Sequence, residues 1–347
     1  MKEEHTIDLP LKVIVGPGVA HRLPSALDRL TAAEKVLLLT GPHVKAVYDD
    51  SVIRPLREGG FATDIRIVKR ATITEVQGLA ATLGAGVDIV VGLGGGRVLD
   101  VGKVLAYTLK KPFVSVPTSA SHDGIASPQA SLVGLNGTHS VRVRTPYMVL
   151  ADSDIISRAP RELTLSGMGD VLAKFSSVLD TRYAKSKGEY VGDYAVSLAE
   201  MSARLVFDNL DSIAQGREDA VRTLIEALIS NGIAMAIAGS SRPCSGSEHM
   251  FGHALDYLTN HNLLHGFTVA LGTKISLSLH GKDWESFHET SRRVGLPMSA
   301  KDLHIPPVYV ARALSMASKI RPERTTILGS GLTYSEAVEV VKRVMAV

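Results

Sequence analysis

The chain of 347 residues has one cysteine, Cys244, which excludes an internal disulfide framework and any cysteine-rich zinc module. Aromatic residues are only 5% of the total, so little is available to stack on nucleic-acid bases. Net charge is only +3 and scattered along the chain, too weak for a surface that neutralises a phosphate backbone. Long uninterrupted apolar runs are absent as well. The most apolar stretch, residues 224–238, carries Glu226 and Asn231 and is short for a bilayer span. The opening Met1-Lys2-Glu3-Glu4-His5 lacks the basic-then-apolar order of a signal peptide. What is there is a 45% hydrophobic composition, ample for buried cores. The expectation is a soluble cytoplasmic protein of two globular domains, with no nucleic-acid partner and no integral membrane segment.

The first 150 or so residues alternate short apolar runs with glycine- or proline-marked turns. Val36–Leu39, Ile65–Val68, Val87–Val91 and Phe113–Val116 read as buried strands, with room for crossover helices between them. That pattern predicts a Rossmann-like α/β domain built on a parallel sheet, over residues 1–158. From residue 159 the texture becomes helical, with helices expected over 195–210, 219–238 and 335–345. The fold class expected is therefore a Rossmann-like α/β domain followed by an all-helical one.

Two loops stand out in the first part. Gly92-Leu93-Gly94-Gly95-Gly96-Arg97-Val98-Leu99-Asp100 links a strand to a helix expected at 98–108. Glycine permits close approach of a pyrophosphate, and a helix N-terminus offers N–H groups and a positive dipole end. The second loop, Pro117 to Pro128, gathers four hydroxyls, His122 and Asp123. Both loops would leave the C-terminal ends of strands, where ligands bind in open α/β sheets.

In the second part, four of the 12 histidines fall between His249 and His265, where an even spread would place fewer than one. His249 and His253 are four apart and share a helix face, a spacing that on its own favours joint chelation of a metal. Gly167-Met168-Gly169-Asp170 offers a carboxylate on what reads as a glycine-flanked turn. Imidazole and carboxylate together suit zinc with an open position for substrate. Lys174, Arg321 and Arg324 are cations that could pair with an anionic ligand, the arginines in a segment that reads as a helix start.

The Gly94–Lys103 run, Pro117-Thr118-Ser119-Ala120-Ser121-His122-Asp123-Gly124-Ile125-Ala126-Ser127-Pro128, Gly169-Asp170 with Lys174, Gly246-Ser247-Glu248-His249 with His253, and His265-Gly266 together resemble the archaeal sn-glycerol-1-phosphate dehydrogenases, within the wider glycerol dehydrogenase and 3-dehydroquinate synthase group. The resemblance spans nearly the whole chain in the right order, and the Thr-Ser-Ala-Ser-His-Asp-Gly run is its most specific part. It implies an NAD(P)-dependent, zinc-containing oxidoreductase. The reaction would be reversible reduction of dihydroxyacetone phosphate to sn-glycerol 1-phosphate for archaeal membrane phospholipids, and the chain is expected to form a homo-oligomer, a dimer or higher. Position by position, it implies that Asp170, His249 and His265 hold one zinc ion. His253, Asp123 and Asp170 would act on and contact the substrate. Gly94, Gly95, Gly96, Arg97, Val98, Leu99, Asp100, Thr118, Ser119, Ser121, His122 and Ser127 would contact the nicotinamide cofactor. Phe267 and Thr268 depart from the acidic and polar pair usual after the His-Gly step, which puts in doubt a partner that orients His265. The competing reading within the group is a dehydrogenase of unphosphorylated glycerol.

Overall fold

The computed structural model describes residues 5–83, 86–134 and 137–345. The chain divides into two compact units, Met1–Pro160 and Arg161–Val347. In the first, strands β1 (Lys12–Gly16), β2 (Lys35–Thr40), β3 (Ala62–Ile67), β4 (Ile89–Gly94) and β5 (Phe113–Pro117) precede a hairpin, β6 (Gln129–Gly134) with β7 (Gly137–Arg142), and then β8 (Met148–Asp152). Six of them form one sheet in the order β1-β8-β5-β4-β2-β3, every pairing parallel. The four central strands bury nearly every side chain, while β1 and β3 at the edges are partly exposed. Burial on both faces is why the central strands read as continuous Val/Ile/Leu runs rather than alternating ones. Each fully buried aliphatic side chain in them contributes roughly 1.5–3 kcal/mol of hydrophobic stabilisation before ordering costs.

The parallel sheet expected from residues 36–116 is present. The sequence reading did not single out β1, β8 or the β6–β7 hairpin. The two sheet strands lie in less patterned flanking sequence, and β8 completes the sheet by pairing with both β1 and β5. The order of strands also creates a switch point. The chain leaves β2 toward β3 on one side, but leaves β4 toward β5 on the other. A crevice therefore opens outside the C-terminal ends of β2 and β4, at Thr40 and Gly94, where open α/β sheets take ligands.

The second unit is built of helices joined by turns, with no strand among its described residues. Its helices include Asp193–Asp208, Glu218–Ala238 and Tyr334–Met345, each within two residues of the segment read from periodicity. Glu218–Ala238 is long and apolar enough to cross a membrane by length and composition, with 67% of its apolar window buried inside the protein. Two local expectations fail. Gly167 to Asp170 lie inside the Arg161–Leu172 helix, not on a turn, because that helix needs small residues where a neighbour crosses it. Arg321 to Thr326 form a turn-rich connection rather than a helix start, with Pro322 the second residue of a tight turn.

Candidate active site

The centre of the helical unit is a crossing of two backbones. The Arg161–Leu172 and His265–Leu279 helices touch at glycines: a Cβ on Gly266 would overlap the Ser166 carbonyl, and one on Gly169 would overlap the Gly266 carbonyl. The Gly266 amide donates to Ser166 Oγ at 3.1 Å across the crossing. The residues next to these glycines, Asp170 and His265, are thereby brought together. The Ser247–Leu258 helix packs on the same His265–Leu279 helix and adds His249.

Ligand-type atoms of Asp170, His249 and His265 all lie within 4.8 Å of one another. His249 Nε2 is 3.5 Å from Asp170 Oδ1, and the His249 and His265 ring centroids are 5.1 Å apart. Asp170 and His249 are buried, His265 half-buried. Glu248 Oε1 sits 2.7 Å from His249 Nδ1. A carboxylate accepts, so Nδ1 carries the proton and Nε2 is left facing Asp170. Glu248 is itself buried and accepts from the Gly246 amide (2.6 Å) and Ser176 Oγ (2.9 Å). Lys174 Nζ donates to Asp170 Oδ1 at 2.9 Å and to its carbonyl at 2.8 Å.

Charge in this cluster is strongly organised. Burial alone would raise the Asp170 carboxyl, but the Lys174 ammonium, followed by His249 and His265, holds it well below the usual carboxylate range. Burial opposes protonation of His249, yet Asp170 and Glu248 outweigh it and raise that imidazole. His253 goes the other way. Burial, with the charges of His265, Arg321, His249 and Arg324, pushes it well below the ordinary histidine range, so the ring is neutral. Its ring stacks on His265 with centroids 5.6 Å apart. A second group, His253, Asp256 and His265, also brings its ligand-type atoms within 4.8 Å. Burial pushes Asp256 up to about 7 against a hydrogen bond from Thr268.

One anionic oxygen and two imidazole nitrogens converging in a buried pocket are a donor set that fits zinc. No such group among the described residues pairs His249 with His253; His265 belongs to both groups. The shared helix face seen in the sequence is therefore real, but it does not bring the two histidines into one candidate ligand group. Sequence reasoning missed Glu248 as the partner of His249, although it stands next to it, and missed Asp256, whose spacing of three from His253 was the available signal.

In the first unit the two loops do leave adjacent strands, with Gly94 paired to Pro117 in the β4–β5 register and the Thr118 amide donating to the Gly94 carbonyl at 3.1 Å. The Gly96–Leu109 helix is preceded by Gly95 as its N-cap residue. Packing explains part of the glycine run: a Cβ on Gly94 would lie 2.7 Å from Val98 Cβ, and one on Gly96 would overlap the His122 ring. A Cβ on Gly95 would meet only Ser119 Oγ, at 3.3 Å. Val98 and Leu99 are buried, and both amides donate to the Gly95 carbonyl. Asp100 is buried, ion-paired with Lys103 at 3.0 Å and accepting from the Ser131 amide at 3.1 Å. Arg97 donates to the Lys69 carbonyl at 3.2 Å. His122 Nδ1 accepts from the Gly124 amide at 2.9 Å, and Ser127 Oγ donates to the Gln129 carbonyl at 3.3 Å. Ser119 and Ser121 are buried; Asp123 begins a short 3-10 turn. A strand, a glycine turn and a helix N-terminus at the switch point fit a dinucleotide pyrophosphate.

The fold belongs to a recognised class. Residues 14–160 match the iron-containing alcohol dehydrogenase family. The chain superposes on glycerol dehydrogenase from Schizosaccharomyces pombe with a TM-score of 0.83 at 20% identity, covering 99% of this chain and 91% of that one. It likewise matches the NADH-dependent butanol dehydrogenase A of Thermotoga maritima with a TM-score of 0.78 at 17% identity, over 98% of both chains. Those likenesses establish the fold. Sequence similarity narrows it: the chain is 45% identical over 99% of both chains to glycerol-1-phosphate dehydrogenase [NAD(P)+] of Hyperthermus butylicus. The enzyme of the same name from Methanothrix thermoacetophila is 42% identical over 95% of this chain and 94% of its own. The chain belongs to the glycerol-1-phosphate dehydrogenase family.

Proposed function

We propose that the chain reversibly reduces dihydroxyacetone phosphate to sn-glycerol 1-phosphate with NAD(P)H and one bound zinc ion. The observation that carries this reading is the convergence of Asp170, His249 and His265 beside a neutral His253, in a chain so similar along its whole length to the named enzymes. When bound, zinc supplies polarisation of the ketone oxygen and the reduced nicotinamide supplies hydride to the carbonyl carbon.

The protein's own contributions follow from the site. Asp170, kept anionic by Lys174, and Nε2 of His249, fixed by Glu248, would hold the metal with His265. His253, neutral and stacked on His265, would hold or move a proton at a substrate hydroxyl. Burial excludes water and strengthens each of these interactions. Asp123 as a substrate contact, and the two loops of the first unit as the cofactor cradle, rest on the family likeness together with the switch-point position of those loops. Product destined for archaeal membrane phospholipids, a cytoplasmic location and a homo-oligomeric state belong to the same reading. Light scattering of the purified protein tests the last of these.

The test is direct. Purified zinc-loaded protein, reduced nicotinamide and dihydroxyacetone phosphate should show loss of nicotinamide absorbance, with much weaker turnover of dihydroxyacetone. Faster turnover of the unphosphorylated ketone would replace this reading with a glycerol dehydrogenase.

A further inference from the structure

Three arginines gather beside the histidine cluster. Arg242 has an anionic partner, Glu189. Arg321 and Arg324 have none: no carboxylate forms an ion pair with either among the described residues. Instead both point at one neutral oxygen. Arg321 Nη1 donates to Ser241 Oγ at 2.9 Å and Arg324 Nη2 donates to the same atom at 3.0 Å. Arg324 Nη1 also donates to the Ser245 carbonyl at 2.5 Å. Ser245 is followed by Gly246 and the helix that carries His249 and His253, so the two forks stand at the entrance of that helix.

Two guanidinium ions converging on a single hydroxyl is a costly arrangement. Each is half-buried and leaves most of its N–H donors without a protein acceptor. Burial and the charges of Arg321 and Arg242 bring Arg324 down to about 9, with Glu323 and Glu248 offsetting only part of this. Both charges reach the His253 ring, on which they act alongside His265 and His249. A planar fork is the geometry that binds a phosphate through paired N–H donors, and a dianion placed between two forks would neutralise both. The other cation considered from sequence, Lys174, is already committed to Asp170.

We propose that Arg321 and Arg324, gathered on Ser241, form the clamp that takes the phosphate dianion of the substrate and set the preference for a phosphorylated over an unphosphorylated ketone. This rests on the reading of the neighbouring histidine cluster as the reaction centre. The clamp holds one end of a three-carbon substrate while the carbonyl end lies toward His253.

The experiment measures kcat and KM for dihydroxyacetone phosphate and for dihydroxyacetone in the holoenzyme, and in Arg321→Gln, Arg324→Gln and the exposed control Arg182→Gln. The ratio of the two kcat/KM values should fall by roughly 10²-fold in each clamp variant, mainly through KM of the phosphorylated ketone, and stay put in the control. An unchanged ratio in both clamp variants overturns the assignment. A variant that fails to melt cooperatively is replaced by Arg324→Lys, which keeps a charge but loses the fork, and whose ratio should fall between the two extremes. If the unsubstituted enzyme turns over neither ketone, the activity reading fails and the clamp is judged separately, by inorganic phosphate. Phosphate should then raise the melting temperature of the unsubstituted protein more than that of Arg324→Gln; equal shifts, or none, overturn the clamp.

Discussion

At the scale of single residues, the site separates two histidines that sequence spacing treats alike. His249 and His253 share a helix face, yet only His249 meets Asp170, while His253 stacks on His265. The expected outcome is that His249→Ala and His265→Ala lose both bound metal and activity. His253→Ala should keep metal near full occupancy but lose roughly 10²–10⁴-fold in kcat/KM, the range for a residue that transfers or positions a proton. Metal analysis of the purified variants reads this out. A metal-free His253→Ala protein beside a metal-loaded His265→Ala protein would reverse the assignment. A buried carboxylate, Glu248, fixes the proton of His249 on Nδ1, and no such contact is made by His253 among the described residues.

At the scale of elements, the site depends on how closely two helices cross. A methyl group on Gly266 has no room against the Ser166 carbonyl, so Gly266→Ala must push the helices apart. Its expected cost is about 3 kcal/mol, and metal affinity should fall with it because His265 moves. Gly78→Ala makes the contrast: its Cβ would face open space within the Ile73–Thr82 helix, and it should stabilise by about 0.5–1 kcal/mol. Urea denaturation distinguishes the two, and equal effects would show that the crossing is looser than described. The end of β2 bears on the coenzyme. NAD-specific sites place a carboxylate there for the adenosine ribose. Here β2 ends in buried Thr40, and the following Pro42–Tyr48 helix has no acid in its first turn and carries Lys45. A 2′-phosphate would meet no repulsion, so NADPH should be used at least as well as NADH. A tenfold or greater preference for NADH in kcat/KM would contradict this.

At the scale of the whole molecule, stability should respond to alkaline pH through Lys274. This lysine is buried in the helical unit, over the Trp284 ring and donating to the Met298 carbonyl at 3.3 Å. Burial, aided by Arg292 and opposed by Asp302, lowers its ammonium to about 8. The unfolded chain holds that proton to about 10.4, so between these values the unfolded state binds more protons and stability rises with pH. The burial penalty is present in full below pH 8 and gone above the unfolded value. Lys274→Met removes the titration. The stability difference between the variant and the unsubstituted protein should therefore change by on the order of 1–2 kcal/mol from pH 7 to 10, in favour of the protein that retains the lysine. Chemical denaturation at a series of pH values measures it, and parallel curves would refute it.

The sequence by itself determined the parallel sheet and the helical second part, and it displayed the residue clusters from which the site is proposed. Short Val/Ile/Leu runs alternating with helix-length segments suit strands buried on both faces of a parallel sheet, and local glycine, histidine and hydroxyl clusters are visible without knowing where the chain goes. It did not reveal β1 and β8, because β1 finds its partner β8 more than a hundred residues away, and β8 is fixed by pairing with both β1 and β5. Nor did it reveal that Gly169 and Gly266 are the contact that joins Asp170 to His265, or which histidine faces the carboxylate, because both depend on the angle at which distant helices cross. The two unpaired arginines lie in the same category. Their charge is plain in the sequence, but that neither forms an ion pair among the described residues and that both share one serine hydroxyl is decided only when residues some eighty positions apart are packed together.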